Sequence, residues 1–397
     1  MFSFNSKIES NLKIAISNDM YKKYRVIIHC RSLLENTEKS IRSMKGIVLN
    51  VISKINCISA IITKKNIEKL VEYPQVSNIC FDSIALLSGS SVLSANNISS
   101  REKYALTGKN ICVGVIDSGI YPHPDLLYPN NNIKKFLDLI NNYKYPYDDN
   151  GHGTFISGLI CSSGMSSKGM YKGIAPQSSI YCIKAFNSTG RGYISDILYS
   201  IYKLICESTE FNIKVICLPF ELLENNFYIL SLFEILFKVA ADKGIVIVVP
   251  SGNNGGTEGS IIGIAQLSNC ITVGGLDTQY NVTPYKYSSC GPVGKSEKPD
   301  LAAACVNICS LNSDTSFLPE RSGIKLYPNK LDKLYNVYTG TSCAAGFISG
   351  ICALLFENNP NLTLTDICSL LKVSCSILNM SRHIQGSGII DINKLLP

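Results

Sequence analysis

Residues 113–119 read Val-Gly-Val-Ile-Asp-Ser-Gly, and the fold turns on this stretch. An apolar run that begins at Ile111 ends on Asp117, after which Ser118-Gly119 turns the chain. A Val/Ile-rich run without polar alternation is a strand buried on both faces, as in a parallel sheet. Functional groups in open α/β sheets gather at the carboxyl ends of such strands. Asp117 is therefore a candidate. Outward from it the pattern repeats. Apolar runs at 179–185, 215–219, 245–250 and 270–275 alternate with helical stretches at 154–161, 195–207, 227–243 and 341–358. That alternation predicts βαβ units around a mostly parallel sheet.

The first part of the chain has a different rhythm. Residues 24–30 (YRVIIHC) and 57–63 (CISAIIT) read as strands, 46–52 is another apolar run, and 76–84 closes the set. Helical spacing fills 32–44 and 66–73, and Pro74 ends the second helix. The order β-α-β-β-α-β is that of a small ferredoxin-like α+β unit. A polar stretch, 88–100 (SGSSVLSANNISS), reads as a linker. The expected division is 1–87, a linker over 88–108, and a main domain over 109–397.

Composition narrows the function classes. Of 397 residues 46% are hydrophobic and 17% charged, which supplies a large core and excludes disorder. The net charge of +7 is scattered, with no basic stripe interleaved by aromatics, so no nucleic-acid partner is expected. The apolar runs are too short to span a bilayer, and no membrane partner is expected. The amino-terminal residues lack the apolar segment of a secretory leader. On that ground the chain is expected in the cytoplasm, with its sixteen cysteines as reduced, mostly buried residues.

Two further segments set reactive side chains at element ends. In residues 149–158 (DNGHGTFISG) His152 lies between glycines just before a helix. In residues 338–350 (YTGTSCAAGFISG) Ser342 opens a helix of small residues, where unpaired N–H groups and the helix dipole favour an anion. A serine hydroxyl needs an imidazole to take its proton, and the imidazole needs a carboxylate to hold its tautomer. The resulting oxyanion needs preplaced donors. Residues 246–255 (VIVVPSGNNG) end a buried strand and offer the Asn253 amide. Each residue alone has a plainer reading: a turn aspartate, a loop histidine, a helix-capping serine. Their joint occurrence favours nucleophilic catalysis. No P-loop and no Gly-x-Gly-x-x-Gly accompanies them.

Together VIDSG, NGHGT, SGNNG and GTSCAAG resemble the signature blocks of the subtilisin-like serine proteases, the subtilases, from about residue 109 to 396. Residues 173–176 (GIAP), 271–274 (ITVG) and 298–300 (KPD) are similar to lesser family patterns. The resemblance implies a three-layer α/β sandwich on a seven-stranded parallel sheet, and peptide-bond hydrolysis through an acyl-enzyme. It gives Asp117 the orienting role, His152 that of general base and acid, Ser342 that of nucleophile, and Asn253 a share in the oxyanion hole. Gly190, Gly192 and Tyr193 resemble the edge that pairs with substrate, and Pro219 and Phe220 fall on the opposite substrate strand. It implies protein or peptide substrates, no cofactor and no metal. It also makes the first domain a propeptide that acts as an intramolecular inhibitor, with cleavage within 84–100. Several positions depart from the pattern. Cys343, Gly346 and Phe155 replace Met, Pro and a second His, and residues 303–305 (AAC) replace Ala-Pro-Gly. Residues 218–221 (LPFE) stand for Ser-Leu-Gly-Gly, and the loop 162–172 lacks the calcium-binding asparagines of secreted relatives, which leaves Asp125 as a single candidate ligand and favours a structural role for it. The alternative is a catalytically weak subtilase-fold binding or regulatory protein, suggested by the altered 218–221 strand.

Overall fold

The computed structural model describes residues 7–87, 96, 105–223, 225–294 and 296–396, with the backbone alone for 84–87. It divides into two units: Met1–Ile84 with Tyr193–Lys203, and Ala85–Gly192 with Leu204–Pro397.

In the smaller unit α1 (Ser10–Ser17) precedes β1 (Tyr24–Cys30), α2 (Leu34–Ser43), β2 (Ile47–Ile52), β3 (Cys57–Ile62), α3 (Lys64–Val71) and β4 (Val76–Phe81). The four strands pair antiparallel in the order β2-β3-β1-β4, with Val26 opposite Ala60 and Ile28 opposite Ile79. Val26, Ile28, Ile41, Ile58, Ile67 and Leu70 fill the core between sheet and helices. The β-α-β-β-α-β order read from the sequence is present. The helix α1 is an addition to it, started by the Glu9 carboxylate, which accepts the N–H groups of Asn11 and Leu12.

The larger unit begins with β5 (Ile84–Leu87), β6 (Cys112–Asp117), the short α4 (Pro124–Leu127), β7 (Ile133–Asp138) and α5 (His152–Cys161). Next come β8 (Ser179–Lys184), β9 (Arg191–Tyr193), α6 (Ile194–Cys206), which belongs to the smaller unit as far as Lys203, the short α7 (Ser208–Phe211), β10 (Ile213–Cys217) and β11 (Phe220–Glu221). Then follow α8 (Phe227–Asp242), β12 (Val246–Pro250), β13 (Ile271–Asp277), β14 (Thr283–Pro284), β15 (Leu301–Ala304) and α9 (Thr341–Asn358). Seven strands run parallel in the order β7-β8-β6-β10-β12-β13-β15. Three two-residue strands extend this sheet to ten: β14, Ile389–Ile390 and Cys375–Ser376.

Two expectations need correction. The strand expected over 215–219 starts earlier and leaves the sheet after Cys217. Pro219 has no N–H to give to a ladder, and the chain re-forms as β11 in a separate three-stranded sheet of order β11-β5-β9. The strand β7 was not expected at all, because its IKKFLD sequence carries two lysines; it lies at the edge of the sheet, where they reach water.

The helix α9 is long and apolar because it is a core element: sixteen of its eighteen residues are buried. It packs on α5 and on β10, β12 and β13. Its small residues permit that closeness. A Cβ added at Gly350 would fall 1.6 Å from Ile174 Cγ2.

Candidate active site

The strand β6 is buried at all six positions and leaves Asp117 at its carboxyl end. The Asp117 carboxylate accepts the Ser118 N–H at 2.6 Å and faces His152, whose Nδ1 lies 2.8 Å from Oδ2 and 2.9 Å from Oδ1. On the other side of the ring, His152 Nε2 lies 3.2 Å from Ser342 Oγ. All three residues are nearly withdrawn from water, with exposures of 0, 5 and 0%. Three segments far apart in sequence thus bring a carboxylate, an imidazole and a hydroxyl into one line.

What holds that line is a second buried carboxylate. Asp148 accepts five hydrogen bonds: from Ser118 Oγ, from the N–H groups of Asn150, Gly151 and Thr154, and from Thr154 Oγ1. Ser118 Oγ in turn accepts the Gly153 N–H. The end of β6 and the first turn of α5 are thereby tied together, which fixes the separation of Asp117 from His152. Gly153 is required here, since a Cβ would fall 2.1 Å from the Gly119 carbonyl oxygen. Lys184 lies opposite Asp117 in the β6–β8 register and is fully buried. Its ammonium donates to the Ser118 and Phe186 carbonyls and to Asp149. Neither Asp148 nor Lys184 was picked out from the sequence. A buried strand that ends on a lysine is the signal that could have found Lys184.

Ser342 is the second residue of α9, at the end where backbone N–H groups lack helical partners. The preceding Thr341 N–H donates to Asn253 Oδ1 at 3.2 Å, so the loop after β12 is fastened to the start of α9. Asn253 Nδ2 donates to Glu221 Oε1 at 2.5 Å. Next to the hydroxyl, the Cys343 thiol is pushed well above its ordinary range, first by burial and then by Cys305. It stays protonated at neutral pH and offers no competing thiolate.

The remaining expected residues lie in or beside β9 and β11. Gly190 adopts φ +72° in the turn before β9. Gly192 in β9 bridges to Phe186, and a Cβ there would meet the Ala185 oxygen at 2.5 Å. Tyr193 ends β9 and is 37% exposed. Pro219 sits in the break between β10 and β11. Phe220 is 1% exposed, with its ring 5.0 Å from that of Phe186. The β5 backbone pairs antiparallel with β11, Leu87 opposite Phe220 and Leu86 opposite Glu221. Among the described residues no three His, Cys, Asp or Glu side chains converge as metal ligands. Asp125 is taken up by the Ser166 N–H and hydroxyl and by the Tyr335 hydroxyl.

Comparison with known proteins identifies the family of the chain. A family model described as the subtilase family matches residues 108–388. The serine protease AprX of Bacillus subtilis (strain 168) is 32% identical over 361 residues, covering 87% of this chain and 80% of the relative. Among solved structures, fervidolysin of Fervidobacterium pennivorans, a keratinolytic enzyme related to subtilisin, superposes with a TM-score of 0.70 at 18% identity. That match covers 95% of this chain but only 61% of fervidolysin. Sphericase superposes with a TM-score of 0.61 at 24% identity, covering 75% of this chain and 96% of its own.

Proposed function

This chain belongs to the subtilase family and is a serine-type endopeptidase, and from that premise we propose that Asp117, His152 and Ser342 are its catalytic triad. The observation that carries the reading is the continuous contact from Asp117 Oδ2 through the His152 ring to Ser342 Oγ. Ser342 Oγ attacks the carbonyl carbon of the peptide while His152 Nε2 takes its proton, and Asp117 stabilises the imidazolium. Collapse of the tetrahedral intermediate breaks the C–N bond. His152 returns the proton to the leaving amine, and water then releases the acyl group from Ser342 by the same steps. Asn253 Nδ2 and the Ser342 N–H are the oxyanion donors.

The substrates are proteins or peptides, which on this reading bind as an added strand. Gly190, Gly192 and Tyr193 flank it on the β9 side, and Pro219 and Phe220 on the β11 side. The pairing of β5 with β11 supports this, since an extended segment already lies in that register. Residues 1–87 are read as an inhibitory propeptide removed by cleavage within 84–100, a range that lies mostly outside the described residues. The sixteen cysteines, twelve of them buried as small apolar residues, support a reducing, cytoplasmic setting.

The test is intact-mass spectrometry of the purified protein with and without a fluorophosphonate probe, beside Ser342→Ala. A single adduct on the parent and none on the variant, with casein hydrolysis lost in the variant, is the expected result. Equal hydrolysis by the two proteins would overturn it. The reading of a catalytically weak binding protein draws on one observation, the hold of Glu221 on Asn253.

A further inference from the structure

A pocket lies beside the Asn253 loop, and the protein's own side chains already fill it. Its lining comes from three places: β11 with the following Leu222, the loop after β12, and the single helical turn Gly263–Gln266 with the preceding Ile262. Two of the loop residues that line it, Gly252 and Asn254, are the chain neighbours of Asn253. The space left between these walls is too narrow to admit a water molecule. Phe220, Leu222 and Ile264 are 1, 2 and 1% exposed. The Phe220 ring is backed by that of Phe186 at 5.0 Å. Leu222 presses on the helical turn, since a Cβ added at Gly263, whose φ is +64°, would fall 2.4 Å from the Leu222 carbonyl oxygen. The Glu221 carboxylate is engaged by the Asn253 and Asn254 amides.

The place of the pocket decides which substrate residue meets it. A carbonyl and the side chain of its own residue share one Cα, so the residue whose carbonyl oxygen meets Asn253 brings its side chain to this pocket. A large side chain there must displace Phe220, Leu222 or Ile264, and forcing extra carbon atoms into a filled core is costly. Glycine, alanine and serine carry too little side chain to need the pocket open. The chain's own sequence agrees. The strand β5 pairs antiparallel with β11, so a chain in that register runs from Glu221 toward Phe220 and on toward the end of β10. That end lies beside β6, the strand that delivers Asp117. Residues 88–91, which follow β5 in sequence, read Ser-Gly-Ser-Ser. More than half of residues 84–100 are glycine, alanine or serine, and none is aromatic.

We propose that Phe220, Leu222 and Ile264 make this site selective for protein substrates with glycine, alanine or serine at the residue that supplies the attacked carbonyl. Selection works by exclusion. A larger side chain holds its carbonyl away from Asn253 and Ser342, which lowers the rate of acyl transfer as well as the affinity. The inference rests on the proposed triad and deepens the reading of Phe220 as a substrate-binding residue.

Matched peptides that differ only at the residue before the scissile bond (Gly, Ala, Ser, Leu, Phe) provide the test, with kcat/KM read for each. The parent enzyme is expected to favour Gly, Ala and Ser over Leu and Phe by about tenfold or more, the range that pocket size gives. Ile264→Ala widens the pocket, and the ratio of Leu to Ala turnover should then rise by about tenfold. Leu222→Ala is expected to shift the ratio the same way. Amino-terminal sequencing of the processed parent needs no variant: the bond cut within 84–100 should follow glycine, alanine or serine. Parent turnover of Leu or Phe peptides equal to that of Ala peptides would sink the inference, and so would processing after Leu86, Leu87 or Leu93. A ratio that stays fixed in a folded variant would show that the pocket does not select. Fluorophosphonate labelling of Ser342 in the same samples separates the two levels. Labelling without the small-residue preference, or without turnover of any peptide, refutes the role of the pocket alone. No labelling and no turnover refutes the triad as well.

Discussion

Asp148 takes no proton and touches no substrate in the proposed reaction, yet five hydrogen bonds make it the point on which the triad geometry rests. Asp148→Asn turns one acceptor oxygen into a donor and confronts it with an N–H or O–H. We expect stability to fall by about 2–4 kcal/mol, the cost of one or two buried donors left unmet. At temperatures well below unfolding, kcat should fall on the order of 10–100-fold with little change in KM, since His152 is displaced while the cleft is not. A kcat equal to the parent in folded variant would show that the five bonds are incidental to catalysis. The sequence displays the proposed triad far better than it displays this support. Asp117, His152 and Ser342 each sit at the end of a strongly patterned element between glycines or small residues. Asp148 sits among turn residues, where an aspartate is ordinary. Its importance comes from donors that only the fold assembles. The same holds for Glu221, whose sequence context announces bulk in place of glycine but not a partner in Asn253.

At the scale of elements, patterned runs were legible and edges were not. Strands buried on both faces, such as β6 and β12, read as unbroken apolar runs, and α9 was read to the residue because small and apolar side chains continue along its whole length. The strand β7 escaped notice because an edge strand needs no such run, and β11 because two residues carry no period. In the smaller unit β1 contributes Arg25, whose guanidinium pairs with Asp82 and Asp196, both at 2.6 Å. Burial pushes the Asp196 carboxyl up to about 6, against the pull of Arg25. An acid whose pKa is raised on folding favours the folded state at low pH. Its contribution is complete below the ordinary value of 3.8 and is lost as pH rises through about 6. The span corresponds to about 3 kcal/mol. Asp196→Asn abolishes this titration. In a Ser342→Ala background, hydrogen exchange of the β1 amides at pH 4 and pH 7.5 measures it. The opening free energy of the variant relative to its parent should rise by about that amount from the lower to the higher pH. A difference that stays flat would show that Asp196 titrates in the folded unit much as it does in water.

Across the whole molecule, the proposed nucleophile Ser342 stands at the start of a helix of which sixteen residues are buried, so the chemistry proposed for it is built into the core. The cysteines follow the same logic. Twelve of sixteen are buried, three are partly buried, and Cys206 alone is exposed. They serve as small apolar residues, and burial raises the thiols of Cys182, Cys305 and Cys343 well above their ordinary range. Two consequences are measurable on one sample. Iodoacetamide applied to the native protein should modify Cys206 quickly and the buried thiols only after denaturation, when all sixteen react. Cys343 stands next to the proposed nucleophile yet cannot present a thiolate, so native alkylation should leave peptide hydrolysis intact while a fluorophosphonate removes it. Loss of activity in step with alkylation of Cys343 would transfer the nucleophilic role from the hydroxyl to the thiol. Rapid modification of many cysteines in the native protein would instead mean that the core around α9 opens readily. The close packing of Gly350 against Ile174 argues against that opening, because any widening there removes contacts from α9.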